Sequence, residues 1–208
     1  PGPIIAVTVH RRENRAYMAD IASALAMIVD RHENASIVFP VHPAPAVRQA
    51  FGPILGSHPR CHLIEPLDYA NFVRLLTRCD VVLTDSGGVQ EEGPYLGKPV
   101  LVMRGSTERP EAVESGTARL IGQDPDHIFS DVSELLTDSS AYAAIAKAVS
   151  PYGDGDAAQR IAEILTHTFF QAEELPKSEP RALARAILRR GGDLPAVEKS
   201  RRLKSAAR

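Results

Sequence analysis

Val81-Val82-Leu83-Thr84-Asp85-Ser86-Gly87-Gly88-Val89-Gln90-Glu91-Glu92 is the stretch whose reading decides the fold. It opens as an apolar run of strand length, turns at two glycines, and continues as a helix from about Val89 to Leu96. The same unit recurs on either side. Upstream, strands are expected at Ile4 to Val9, Ser36 to Val41 and Cys61 to Ile64. The helices between them run from Met18 to Val29, near Val47 to Leu55, and from Tyr69 to Leu76. Ile21, Leu25, Ile28 and Val29 share one face of the first, and Phe72, Val73 and Leu76 keep helical spacing in the third. Downstream come strands at Pro99 to Met103 and Arg119 to Ile121, then helices around His127–Leu136, Ala141–Ala148 and Ala157–Phe170. Near-continuous Val/Ile/Leu strands alternating with helices predict an α/β class, a doubly wound parallel sheet with helices on both faces.

The chain has 208 residues, 44% of them hydrophobic, enough for a core without disulfide or metal staples. Cys61 and Cys79 are too few for a disulfide framework, so a reducing, cytoplasmic setting is expected. No apolar run approaches the roughly 20 residues that span a bilayer, and no membrane partner is expected. Pro1-Gly2-Pro3-Ile4 has no signal-peptide pattern and reads as a chain cut at a linker.

Charge is uneven. Residues 1–175 hold 14 Lys and Arg against 23 Asp and Glu, whereas residues 176–208 hold 10 against 3. An acidic body argues against nucleic-acid binding, which rests on phosphate neutralisation. The basic tail, with one short helix expected over Arg181 to Arg190, reads as a solvated extension.

Parallel sheets of this kind bind ligands outside the carboxyl ends of their strands. There the sequence places His10-Arg11-Arg12-Glu13-Asn14, His42, Asp85-Ser86-Gly87-Gly88, and Arg104 followed by Glu108-Arg109. Ser86-Gly87-Gly88 lets a ligand approach the backbone closely at a helix start, which suits a phosphate, although an ordinary tight turn needs the same glycines. It matches neither a P-loop nor a dinucleotide fingerprint, so ATP hydrolysis and NAD chemistry are disfavoured. Glu91 and Glu92 fall in the expected first helical turn, where the helix dipole favours acids. If a diphosphate sits at the turn, one of them should lie to the side and accept hydrogen bonds from neutral hydroxyls such as a ribose diol. His10 offers an imidazole beside two cations, and Arg104 and Arg109 could either neutralise phosphate or pair with Glu108, Glu111 or Glu114. The other histidines lack ligand spacing, and no metal site is expected.

Taken in order, several segments resemble the non-hydrolysing UDP-N-acetylglucosamine 2-epimerases. They are Thr8-Val9-His10-Arg11-Arg12-Glu13-Asn14, Phe39-Pro40-Val41-His42 and Thr84-Asp85-Ser86-Gly87-Gly88-Val89-Gln90-Glu91-Glu92. Leu96-Gly97-Lys98-Pro99-Val100-Leu101-Val102, Thr107-Glu108-Arg109-Pro110-Glu111 and Ser150-Pro151-Tyr152-Gly153-Asp154-Gly155 extend the match. The resemblance runs from about residue 4 to 165. It implies a two-domain glycosyltransferase-B fold with the nucleotide-sugar between the domains, this chain being the C-terminal domain. Residues 1–170 would form the UDP-binding Rossmann-like domain and 171–208 a basic extension.

By the same resemblance, Ser86, Gly87 and Gly88 hold the diphosphate, Glu92 the ribose, Phe72 the uracil, and Arg109 lies near them. His10 matches a catalytic histidine. Arg11, Glu13 and His42 match positions that in some bacterial members touch a second, activating UDP-GlcNAc. The implied reaction eliminates UDP from UDP-GlcNAc to a 2-acetamidoglucal and re-adds it to give UDP-ManNAc, without an external cofactor. Its proton-transfer carboxylates lie in an N-terminal domain with no counterpart here, and the full-length enzyme is expected to be a homodimer. The alternatives are one half of a glycosyltransferase-B-type UDP-sugar transferase, or a non-catalytic UDP-sugar-binding module.

Overall fold

In the computed structural model, residues 2–147 and 151–170 are described. They fall in two units, Pro1–Tyr152 and Gly153–Arg208. In the first, β1 (Ile4–Thr8), β2 (Ser36–Pro40), β3 (Cys61–Ile64), β4 (Val81–Thr84), β5 (Val100–Val102) and β6 (Ala118–Leu120) make one six-stranded sheet. Its order is β3-β2-β1-β4-β5-β6 and every pairing is parallel. Ala6 faces Val38 on one side and Val82 on the other. The chain winds from β1 out to one edge and returns beside β1 to wind toward the other. The expected class is therefore the observed one, and the strand order reverses between β1 and β4.

Side-chain alternation along the strands sorts the core into two layers. Ile5 and Val7 of β1, Leu83 of β4 and Leu101 of β5 point to one face. That face is covered by α1 (Met18–Arg31), α2 (Pro45–Leu55) and α6 (Pro125–Thr137), with Ile145 of α7 (Ser139–Ile145). Ala6, Val82, Val100 and Val102 point to the other, under α3 (Tyr69–Arg78), α4 (Gly87–Tyr95) and α5 (Pro110–Glu114). Both faces of the central strands are apolar because both are buried. Asp68, Asp124 and Asp138 cap α3, α6 and α7 through their side chains, which sets where those helices begin.

Three local features differ from the sequence reading. α4 starts at Gly87, two residues before the expected Val89, so both glycines lie in its first turn. Glu91 and Glu92 therefore sit in the second turn, and no acid occupies the first. A 3-10 turn over Arg12–Tyr17 and the five-residue α5 were not anticipated, since neither is long enough to show an apolar stripe. Cys61 and Cys79 are free and buried, and burial pushes each thiol up to about 11.

α4 packs on β5 through a glycine. A methyl group built on Gly93 would stand 2.4 Å from Cγ2 of Val100, a branched side chain with no room to retreat. Gly93→Ala is expected to cost about 1–3 kcal/mol by overpacking, lowering the melting temperature by roughly 2–4 °C per kcal/mol. Adding Val100→Ala should recover part of that loss in the same thermal melts.

The second unit contributes α8 (Ala157–Phe170), whose Arg160 pairs with Asp154 in the segment before it. The expected tail helix, the basic residues 176–208 and the proposed 171–208 extension lie outside the described residues, as does Ser150.

Candidate functional site

The strand order reverses between β1 and β4, where open parallel sheets form their ligand crevice beyond the carboxyl ends, and the residues at that position follow directly from those strands. Thr84 ends β4, shares a 2.6 Å hydroxyl contact with Thr8 of β1, and accepts the Ser86 N–H at 2.9 Å. The next residue, Asp85, has no exposed surface. A carboxylate buried so completely must be saturated with donors. Its Oδ2 accepts from the Arg11 N–H at 2.9 Å, the His10 N–H at 3.0 Å and Asn14 Nδ2 at 3.1 Å. Its Oδ1 accepts from the His10 N–H at 3.1 Å and lies 3.2 Å from His10 Nδ1. Asn14, also fully buried, donates to the Met103 carbonyl and accepts from Gln123 Nε2. One carboxylate and one amide thus pin the segment after β1 to the ends of three other strands.

His10 projects from that segment with its side chain 37% exposed, its ring stacked on His42 at 5.8 Å between centroids. His42 accepts the Ala44 N–H on Nδ1, which orients the second ring. Beside them α4 begins. The Ser86 hydroxyl makes no capping hydrogen bond, so the first-turn amides have no side-chain acceptor from their own N-cap. A Cβ on Gly88 would meet nothing within 4 Å, whereas one on Gly87 would lie 2.7 Å from Glu108 Oε1. The helix start is therefore open at Gly88 and bounded at Gly87 by an ion pair. Gln90, buried, donates to the Ser86 carbonyl and accepts from Thr107, whose hydroxyl accepts the Arg109 N–H. That chain ties the 104–109 loop to α4.

Arg11, Arg104 and Arg109 at this edge each have a carboxylate partner. Arg11 meets Glu108 at 2.9 Å, and Arg109 pairs with Glu91. Arg104, only 8% exposed, pairs with Glu108. Its Nε also lies 2.6 Å from Glu13 Oε1, an ion pair by distance but off the N–H direction. Of the partners open to the two arginines from sequence, Glu108 holds Arg104; Arg109 instead takes Glu91, which was not among them, because the 104–109 loop lies along α4. Glu108's own backbone N–H, then Arg104 and Arg11, hold its carboxyl below the usual range. Burial, reinforced by the Glu91 charge, pushes the half-buried Glu92 up. Phe72 on α3 is half-buried against the same cluster as Val89 of α4.

Chemically, first-turn amides without a side-chain cap, with arginines nearby, favour an anion such as a phosphate. Contacts link His10 to His42, and Arg11 and Glu13 to Glu108 and Arg104, beside the α4 start at Ser86, Gly87 and Gly88. Arg109 meets Glu91 of that helix, Glu92 lies in its second turn without a link to the others among the described residues, and Phe72 lies on the α4 face of the sheet. Sequence reasoning assigned no part to Asp85, Asn14 and Gln90. Asp85 and Asn14 stand inside quoted motifs, and their signal was a charged or amide group abutting a strand that is buried on both faces. Among the described residues, no group of three or more His, Cys, Asp or Glu is placed to hold a metal ion, and no helix is long and apolar enough to cross a membrane.

A family model described as UDP-N-acetylglucosamine 2-epimerase matches residues 1–166. The UDP-N-acetylglucosamine 2-epimerase of Escherichia coli (strain K12) is 50% identical over 164 residues, 78% of this chain and 43% of that protein. A crystal structure of UDP-GlcNAc 2-epimerase from Neisseria meningitidis bound to UDP-GlcNAc is similar at a TM-score of 0.77 and 40% identity, covering 80% of this chain and 45% of that one. The C-terminal domain of a glycosyl transferase group 1 family protein from Francisella tularensis shares the fold alone, at a TM-score of 0.58 and 15% identity, covering 83% of this chain and 89% of that one. The chain spans less than half the length of the epimerase relatives it matches.

Proposed function

This chain belongs to the UDP-N-acetylglucosamine 2-epimerase family, and from that premise we propose that it is the UDP-binding, C-terminal half of an enzyme interconverting UDP-GlcNAc and UDP-ManNAc. Residues 1–170 act as the nucleotide domain. The observation that carries this reading is the uncapped start of α4, set at the strand-order reversal between β1 and β4. The diphosphate takes the Ser86, Gly87 and Gly88 amides, and Arg109 exchanges Glu91 for a phosphate oxygen. Glu92, half-buried and one turn along, accepts from the ribose diol, while Phe72 lies against the uracil.

In the reaction, the C1–O bond to UDP breaks as C2 loses its proton, giving the 2-acetamidoglucal. UDP then re-adds at C1 while C2 is protonated from the other face. This half supplies the cationic, amide-lined cradle for departing UDP and the His10 imidazole. The carboxylates that serve C2 come from a first domain, and no external cofactor is used. Arg11, Glu13 and His42, on the His10 side of the crevice, are placed to touch a second, activating UDP-GlcNAc. The full-length enzyme works as a cytoplasmic homodimer.

Full-length protein given UDP-GlcNAc and no acceptor should form UDP-ManNAc, read by anion-exchange chromatography of the nucleotide-sugars. A glycosyltransferase half or a binding module would form none, and that outcome would overturn the reading.

A further inference from the structure

Asp85 does more than anchor a loop. Its two oxygens are divided between distinct sets of donors. Oδ2 is committed to fixed groups, the Arg11 N–H and Asn14 Nδ2, with the His10 N–H at nearly equal range from both oxygens. Oδ1 is the oxygen that faces the His10 ring, 3.2 Å from Nδ1. The approach is an ion pair by distance, off the N–H direction, so its preference is electrostatic: a buried carboxylate oxygen beside Nδ1 favours the imidazole form whose Nδ1 carries the proton. His10 Nε2 has no partner among the described residues, and the ring is partly exposed. The His42 stack restrains the plane of that ring, while the carboxylate selects which nitrogen is protonated. Met103 and Gln123, through Asn14, hold the carboxylate's other partners in place.

We propose that Asp85 is the positioning residue of this site, holding the His10 proton on Nδ1 so that Nε2 is the nitrogen presented to the substrate. The proposal rests on the reading of His10 as catalytic. It assigns Asp85 no contact with substrate and no proton transfer of its own.

The donor pattern makes Asp85→Asn a specific probe. An amide at this position must place its oxygen where Arg11 N–H and Asn14 Nδ2 converge. Its NH2 group then faces His10 Nδ1, which must become an acceptor, and the proton moves to Nε2. A buried carboxylate-to-amide change of this kind, beside a catalytic imidazole, leaves geometry intact while inverting the tautomer.

The test is a long-range proton–nitrogen NMR spectrum of the nitrogen-15-labelled chain, at a pH where the ring is neutral, with the His10 signals assigned by their loss in His10→Gln. The parent should carry its proton on Nδ1 and Asp85→Asn on Nε2. Asn14→Ala, which loosens the segment but leaves the Asp85–His10 contact, should keep the parent form. A parent protonated on Nε2, an Asp85→Asn protein with an unchanged tautomer, or an Asn14→Ala protein that switches would each overturn the proposal. The first needs no variant to fold. In the full-length enzyme Asp85→Asn should lower kcat by about 10²–10⁴-fold with KM within about threefold, and an unchanged kcat would also overturn it. UDP calorimetry on the same samples separates the two readings. Absent UDP binding with the expected tautomers would sink the nucleotide assignment and leave the Asp85–His10 relation standing.

Discussion

Ser86→Asp is expected to abolish UDP binding to this chain while leaving its fold at least as stable as the parent. The two effects have opposite signs because both arise at the start of α4. Ser86 is the N-cap yet makes no side-chain capping bond. Aspartate is an equally good or better N-cap and would accept from the first-turn amides, which stabilises the helix. The same carboxylate then occupies the donors a diphosphate needs and repels its charge. Like charges brought together cost several kcal/mol, and about 3 kcal/mol corresponds to roughly a 100-fold loss of affinity. Asp85 next door causes no such repulsion, since it is buried and its charge is already met by the His10, Arg11 and Asn14 donors. Isothermal calorimetry with UDP and a thermal melt on each protein read both effects. Equal UDP affinity for parent and variant would show that the diphosphate sits elsewhere.

Phe51→Ala should do the reverse, removing stability and sparing the site. Phe51 has no exposed surface and meets Phe39 edge-on, with ring centroids 4.9 Å apart and planes at 88°. It lies on α2, in the layer opposite α4. Truncating it loses the buried ring and leaves a cavity among Leu25, Phe39 and their neighbours in the same cluster. The expected cost is about 3–5 kcal/mol, or a fall in melting temperature of about 10 °C. Phe51→Leu, which fills more of the space, should cost less than half as much. Below the melting transition the variant should bind UDP as the parent does. A melting temperature within the scatter of the parent's would mean that α2 contributes little to this core.

How much of this could be read beforehand depended on the distance over which each feature is decided. Val81 to Thr84 announced a strand buried on both faces because burial there leaves no polar alternation. The helix over Met18–Arg31 was legible from its apolar spacing. The start of α4 was misplaced by two residues because glycines carry no periodic signal, and that shift moved Glu91 and Glu92 out of the first turn. α5 and the 3-10 turn escaped notice since five or six residues cannot display a stripe. Around the crevice, the amino acids that collect at the carboxyl strand ends were named from the parallel geometry alone. Their pairings were not. Arg109 was expected to meet phosphate or Glu108, Glu111 or Glu114, and its pairing with Glu91 turned on the path of the 104–109 loop, which Gln90 and Thr107 tether.

The amino-acid sequence on its own determined the α/β class, the buried strand at Val81 to Thr84 and membership of an epimerase family, because each is written in local periodicity or in contiguous motifs. The tertiary structure alone decided that Asp85 holds His10 across 75 positions and that Arg11 meets Glu108 across 97. Those contacts exist because the strand order sets β4 beside β1 and β5 beside β4, and a chain's local propensities carry no record of which strands become neighbours.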